Sequence, residues 1–525
     1  MKMVKSLILG SAAGLLAMGG AQAADLPVKA KAVEYVRICS LYGAGFFYIP
    51  GTDTCIKLGG YVRIDTTFNG STYDQPAWSG DLGQQNRFRD YFAARSRMAL
   101  TVDTRTATEY GVVRTFAQAD FQFTTLGNNT SNPAVLTAAP TATSLFNTPG
   151  DGYTAVEFVF IQFAGFTFGK SASAYATPWH GYPGNNSSFL LGGHDTVTGV
   201  NNIQYSAQFG NGVSGTIGLD DPTVFNRTSV YNLALGVGVG GTGTNAYAGT
   251  HAPDIVGNIR IDQAWGLFQI SAAAHEVSGS YNVLGAGGVP TALSEISGHP
   301  DTKWGGSVMA ALQIKNIPTG AGDDIKVDAT YAKGDTKNVI ATSATSPSFA
   351  MFGGSSFGYQ SVGFGATTDG VYLPGVTNGI ILTTAWGIRG AFNHNWDPYW
   401  SSSLFGSYSA VRYDGGANDN LAGIGSAKGA YCAGFAATHP GNTGVSSAGG
   451  TYSCNPDFNV SQLGVVTRWT PVKNLTFSAE VMWFHLDQKM AGSSVFTATA
   501  PKPTALYEFK DQDTVALNVR VQRNF

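Results

Sequence analysis

Charge is what this 525-residue chain has least of: Asp, Glu, Lys and Arg make up 12% of it, about half the ~25% of an ordinary globular protein. Little charge together with 31 Phe, 23 Tyr and 9 Trp argues against a disordered chain, which is rich in charge and poor in aromatics. A formal charge of -3 and an isoelectric point near 6.2 leave no basic footprint, so no nucleic-acid partner is expected. Long hydrophobic runs are missing as well. Beyond the N-terminal stretch nothing approaches the ~20 apolar residues that a membrane-crossing helix needs. Cysteine is limited to Cys39, Cys55, Cys432 and Cys454, without the close spacing or neighbouring histidines of a metal site. Eight scattered histidines and no nucleophile–His–acid set give no reason to expect a metal, a cofactor or an enzyme. Gly236-Val-Gly-Val-Gly-Gly241 spells G-x-G-x-x-G but opens no helix, which removes its mechanism for holding a dinucleotide.

What is present begins with an export signal. Lys2 and Lys5 precede an apolar run over 7–18, and Ala21-Gln22-Ala23 offers a small-residue cleavage site. Residues 1–23 therefore read as a secretory signal peptide, with 24–525 as the mature chain. An oxidising destination favours disulfides, and proximity in sequence pairs Cys39 with Cys55 and Cys432 with Cys454. Asp414, Asn418 and Asp419, in the loop that carries the second pair, could bind calcium or could simply be solvated.

The mature chain is dominated by period-2 alternation. In 514–525, TVALNVRVQRNF, Val515, Leu517, Val519 and Val521 share one face, while Thr514, Asn518, Arg520 and Gln522 share the other. The same alternation marks strands at 56–68, 91–104, 109–122, 153–163, 166–170, 202–209, 213–219, 255–262, 267–277, 304–314, 325–331, 380–392, 400–413, 460–469 and 475–486. In the first, Ile56, Leu58, Val62 and Ile64 oppose Lys57, Tyr61, Arg63 and Asp65. Apolar out and charged in is the pattern of a transmembrane barrel, and pairing the last strand with the first would remove both edges. The expectation is an all-β, antiparallel barrel of about sixteen strands, with short periplasmic turns and long extracellular loops. Half of every strand is polar, which explains a mean hydropathy of -0.01 in a membrane protein. Trp304, Trp386, Trp400, Trp469, Trp483 and Tyr413 near strand ends suit aromatic girdles. A soluble sandwich is the competing fold, but it would have to bury charge on nearly every strand.

The leader, YGAGFFYIPGTDTCIKLGGYVRID (42–65), TEYGVVRTF (108–116), FVFIQFAGFTFGK (158–170) and the terminal Phe525 resemble the alphaproteobacterial general porins. The resemblance covers the whole mature chain and is densest in its first third. It implies a homotrimer in the outer membrane, surrounded by lipid and lipopolysaccharide, through which small hydrophilic solutes and ions diffuse. It also implies that the third long loop, 171–199, folds into the pore, and that Phe525 acts as a signal to the barrel assembly machinery. In many general porins that loop is acidic and faces arginines. Here it offers only Asp195, beside His180, His194, Tyr175, Trp179, Tyr182 and Phe189.

Arg63, Arg95, Arg97 and Arg114 fall on the inward faces of three successive strands and, with Asp195, are the candidate pore-constriction residues. A wall of one sign biases which ions enter. The opposing reading is that Asp65, Asp103 and Asp120 neutralise these arginines and merely brace the wall. An aromatic inserted loop leaves room for a substrate-selective channel, for example for sugars. An anchored enzyme or adhesin is the third class, without a catalytic set or protruding domain to support it.

Overall fold

The computed structural model describes residues 37–70, 92–124, 151–179, 181–194, 198–223, 227–238, 240–342, 346–498 and 502–525. The leader, His180, Asp195 and most of the loops after the first and third strands lie outside them. Sixteen strands form the barrel. They are β1 (Cys55–Phe68), β2 (Phe92–Thr108), β3 (Gly111–Thr124), β4 (Asp151–Phe163), β5 (Phe166–Ser171), β6 (Val200–Gly210), β7 (Val213–Asp220) and β8 (Asp254–Gln263). The circuit continues through β9 (Gly266–Val277), β10 (Lys303–Lys315), β11 (Asp324–Lys333), β12 (Thr384–Asn395), β13 (Trp400–Arg412), β14 (Phe458–Val472), β15 (Leu475–Gln488) and β16 (Gln512–Asn524). Each pairs antiparallel with the next, and β16 closes on β1 with Tyr61 opposite Asn524 and Phe68 opposite Leu517. At that seam Gly60 and Phe525 exchange backbone hydrogen bonds, and a Cβ on Gly60 would lie 1.9 Å from the Ala99 carbonyl oxygen.

Alternation sets the faces. Leu58, Val62 and Ile64 are exposed on the outside of β1, while Asp65 is buried inside. The tight turns at one end use the left-handed conformations that match strand twist, as at Asn211-Gly212 and Ala164-Gly165. In β4 the register slips, so that Gln118 faces Phe158 while Ala119 faces Val156. Glu157 is the extra residue of this bulge; it and Phe158 are buried, whereas Val156 and Val159 are exposed. Trp400 stacks on Trp469 at the short-turn end, and Trp304, Trp386 and Trp483 are exposed near the other, which makes two outward girdles. Tyr413 is not among them: it is 3% exposed, with its hydroxyl donating to the Ala366 carbonyl.

Long loops at the far end are not simple connections. Val230–Val237, Gly243–Asn245, Gly370–Tyr372 and Ile381–Leu382 form one small sheet. Phe349–Gly353, Gln360–Gly365, Gly441–Thr443, Ser493–Thr497 and Thr504–Phe509 form another. Helix α1 (Ala427–Thr438), capped by Ser426 accepting from the Gly429 amide, lies among them. Phe349, Phe364, Tyr431, Phe435, Tyr507 and Phe509 belong to one buried cluster that continues into the top of the barrel through Phe458 and Phe484. This cap corrects the expected twelfth strand. Residues 381–382 pair within the cap because Ile380 is drawn into a cap core with Val230 and Tyr372, so β12 starts only at Thr384.

Both disulfides form as paired by sequence, Cys39 with Cys55 and Cys432 with Cys454. The first ties the segment before β1 to the short-turn end of that strand; the second ties α1 to the chain entering β14. Asp419 and Asn418 are used in folding the same loop: Asp419 accepts from Ser426 and the Gly416 amide, and Asn418 accepts from the Cys454 amide.

Candidate functional site: the lumen and its inserted segment

The described residues between β5 and β6 (172–179, 181–194 and 198–199) run through the lumen and are fastened to the wall by a series of hydrogen bonds. Leaving β5, the chain accepts hydrogen bonds on Ala174 O from Asn258 (2.6 Å) and on Ala176 O from Gln269 (2.7 Å). There Tyr175 and Trp179 pack with Val256, Met309 and Ala311. The tip reaches β12–β16. Asn393 donates to Pro183 O, Arg468 to Gly184 O and Asn186 Oδ1, and Arg520 Nη1 to Asn186 O at 2.9 Å. Glu480 accepts from the amides of Asn186 and Ser187. On the way back Gln462 donates to Phe189 O and accepts from the Leu191 amide, while Arg389 donates to the carbonyls of Leu190 and His194. Phe189, Leu190 and Leu191 join the cap cluster. Thr198 Oγ1 finally donates to Glu157 at 2.6 Å, where the segment rejoins the wall.

Close approach depends on missing side chains. A Cβ on Gly387 would come within 2.5 Å of Gly192 Cα. Three aromatic residues of the segment, Tyr175, Trp179 and Phe189, are buried, while Tyr182 is half-buried with its hydroxyl donating to Ser188 O.

The four predicted arginines occupy two tiers. In the upper one, register sets Asp65 between Arg95 on β2 and Arg520 on β16. Arg95 reaches Asp65 through Nε at 2.9 Å and Nη2 at 2.7 Å, and Arg520 donates to its other oxygen. Arg97 binds Asp120 at 2.7 Å and Gln122 at 2.7 Å. Arg63 donates to Gln522 and lies over the Tyr61 ring. Arg114 stands apart, eight residues along β3 from Gln122 and so roughly 26 Å down the strand. There it shares Asp103 with Arg105. Among the described residues, six guanidinium groups (Arg63, Arg95, Arg97, Arg105, Arg114, Arg520) thus stand with four carboxylates (Asp65, Asp103, Asp120, Glu157). Arg95 and Arg97 are 2% and 6% exposed.

Sequence reading missed Arg105, Glu157, Arg468, Glu480 and the buried Arg389–Asp328 pair (3.0 Å). Inward parity on β11–β15 was the signal that could have found Arg468, Glu480, Asp328 and Arg389. The bulge at Glu157 breaks parity and hides that residue.

Comparison with known proteins adds to this geometry. The porin Omp2b of Brucella suis is 33% identical over 273 residues, 50% of this chain and 64% of that protein. Omp2b of Brucella abortus strain 2308 is 33% identical over 275 residues, 50% of this chain and 63% of that protein. The chain thus spans under two thirds of the length of the curated relatives it matches. The outer membrane channel DcaP of Acinetobacter baumannii superposes with a TM-score of 0.54 at 16% identity, covering 91% of this chain and 99% of that one, a likeness of fold. The family model described as the porin subfamily matches residues 25–518. A closed sixteen-stranded barrel with a polar, segment-crossed lumen and a family match over nearly its whole length make this outer-membrane chain a member of the porin subfamily.

Proposed function

We propose that the chain forms a water-filled channel for passive diffusion of small hydrophilic solutes and ions, and that it works as a homotrimer in a membrane of lipid and lipopolysaccharide. The observation that carries this reading is the set of hydrogen bonds by which Asn258, Gln269, Arg389, Gln462, Arg468 and Arg520 hold the chain after β5 inside the barrel, and in this reading that chain narrows the lumen. In this reading residues 1–23 are a leader removed on export, residues 171–199 are the constriction loop, and Phe525 is read by the barrel assembly machinery. The aligned part of the Brucella porins supports a channel rather than an enzyme.

The upper arginine tier, with Arg63, Arg95 and Arg97, and the lower tier, with Arg114, give the passage its charge. Among the described residues six guanidinium groups on this wall stand with four carboxylates, and charges beyond a Debye length of ~8 Å are screened at physiological salt, so the local balance rather than the net charge of the chain governs ions in the passage. The constriction is mildly anion-favouring or only weakly cation-selective despite the negative total; Asp195, the one acid of 171–199, lies outside the described residues. The test is single-channel conductance with reversal potentials in a salt gradient. Arg95→Ser/Arg97→Ser shifts the reversal potential toward cations, most at low salt, and excision of residues 174–197 with a short Gly-Ser bridge raises conductance several-fold. A double variant with unchanged selectivity makes the arginines purely structural, and an excised channel of unchanged conductance removes the segment from the constriction.

A further inference from the structure

A porin lumen is lined by polar side chains, because water fills it. One patch departs from this. Phe116 on β3 and Phe158 and Phe160 on β4 share the inward parity of Arg114, Gln118 and Gln162, while their neighbours Val159 and Ile161 are exposed outside. They are adjacent: Phe116 stacks on Phe160 with ring centroids 5.3 Å apart and planes at 26°, and meets Phe158 edge-on at 6.5 Å. The Arg114 guanidinium lies over both Phe116 (5.2 Å) and Phe160 (5.5 Å). The rings border a hollow of about 360 Å³, within the roughly 300–1,000 Å³ of small-molecule sites. Its rim is polar, with Gln118, Gln162, Thr167 and Gln204.

The rim is not fully self-satisfied. Gln162 is used at both ends, accepting from Arg114 and donating to Thr167. Gln204 donates to Ser171 Oγ and the Ala172 carbonyl, but its Oε1 is buried and accepts no hydrogen bond among the described residues. A buried acceptor without a donor carries a desolvation cost that a ligand hydroxyl or amine would relieve. Ring faces beside an unsatisfied acceptor match a solute with one flat apolar face and a donor on its edge.

We propose that Phe116, Phe158 and Phe160 form a lumenal stacking subsite for small ring-bearing solutes, aromatic or pyranose, that present a hydroxyl or amine donor to Gln204. The subsite lies on the short-turn side of the root of the inserted segment, so a solute would meet it before or after the constriction. It rests on the channel reading for its role, but not for its binding.

The experiment uses the full-length protein, in planar bilayers and in detergent. 4-Hydroxybenzyl alcohol, D-glucose and sorbitol are compared as current blockers and, by saturation-transfer NMR, as ligands. The expected result is transfer and blockade with the aromatic probe, a weaker effect with glucose and none with sorbitol. Phe116→Leu/Phe160→Leu, which keeps side-chain bulk on the lumen face, weakens binding on the order of fivefold per ring removed. Gln204→Leu weakens the hydroxylated probe but not toluene, which has no donor. Equal behaviour of all three probes, or binding unchanged in the Phe double variant, overturns the subsite. Probe binding without any ionic conductance supports the subsite and overturns the channel reading instead.

Discussion

In the barrel wall each strand pairs antiparallel with its neighbour in the chain and shows one face to lipid and the other to the lumen. In the cap, Gln360–Gly365 pairs in parallel with Thr504–Phe509, and Val230–Val237 with Gly370–Tyr372, so partners come from different loops. The wall's residues alternate between exposed and buried; four of the eight in Val230–Val237 are buried in succession. The wall obtains its order from local hydrogen bonding that a bilayer enforces. The cap obtains it from a shared apolar core, as a soluble domain does. The inserted segment joins the two regimes, with polar anchors on the wall and Phe189, Leu190 and Leu191 in the cap cluster.

That junction is where the comparison breaks most easily. Arg389 and Asp328 are both buried on the wall, and Arg389 also holds the carbonyls of Leu190 and His194. Arg389→Ala leaves Asp328 buried without its partner and should cost about 3–5 kcal/mol. The check is the temperature at which the folded band is lost on heat-modifiable gels, alongside protease cleavage near residue 190. Loss of both together shows that segment and wall unfold as one. Asp328→Leu/Arg389→Met removes both charges and should recover most of the band's heat resistance while the segment stays cleavable. Recovery of both would mean that the carbonyl anchors contribute nothing.

The two disulfides sharpen the same contrast, one at each end of the molecule. They span 16 and 22 residues, so the chain-entropy model assigns each about 3 kcal/mol. Their targets differ. Cys432→Ser/Cys454→Ser should open α1 and the cap to proteolysis while the barrel keeps its heat resistance. Cys39→Ser/Cys55→Ser should loosen only the segment packed on the foot of β1, where Phe46 is buried with the pair. A barrel that loses heat resistance when the cap bridge is removed would show that cap and wall are one cooperative unit.

The same contrast explains what could be read from residues alone. The wall was legible because a lipid face and a water face impose period 2: β1, β13, β15 and β16 lie within two residues of their expected bounds, and both cystines follow from order along the chain. The cap was not, since Phe349–Gly353 or Ser493–Thr497 is a short stretch whose partner sits in another loop. Neither alternation nor turn chemistry announces such a pairing. In the lumen, parity placed Arg63, Arg95, Arg97 and Arg114 on the inner face, and the opposing reading named Asp65, Asp103 and Asp120, which pair with Arg95, Arg114 and Arg97; the contact across the closing seam was not legible. Asp65 pairs with Arg520 only because the barrel closes, a contact that spans 455 residues.

The smallest effect tests how far the junction responds to pH. His194 is buried in the inserted segment, with Nδ1 2.7 Å from Asn338 Oδ1. Burial pushes its imidazole down to about 3 from 6.5; the Asn338 contact opposes this, and the Lys337 and Arg389 charges add to it. A base with a depressed folded pKa contributes stability that is fully present above 6.5 and is lost progressively as pH falls toward 3. Nearby Asp335, which accepts from Asn338, has the opposite sign: burial raises its carboxyl to about 7, so it favours the folded state as pH falls. Wild type alone would therefore show a blunted response. His194→Gln keeps a donor for Asn338 but does not titrate, and Asp335 is common to both proteins, so their difference isolates the histidine. The variant should match wild type at pH 8 and exceed it by roughly 2 kcal/mol at pH 5, the equivalent of about 1.5 pKa units. The measurement is cleavage near residue 190 against pH for both proteins. Parallel curves between pH 8 and pH 5 would show that water reaches His194 and that the segment is less firmly seated than its anchors indicate.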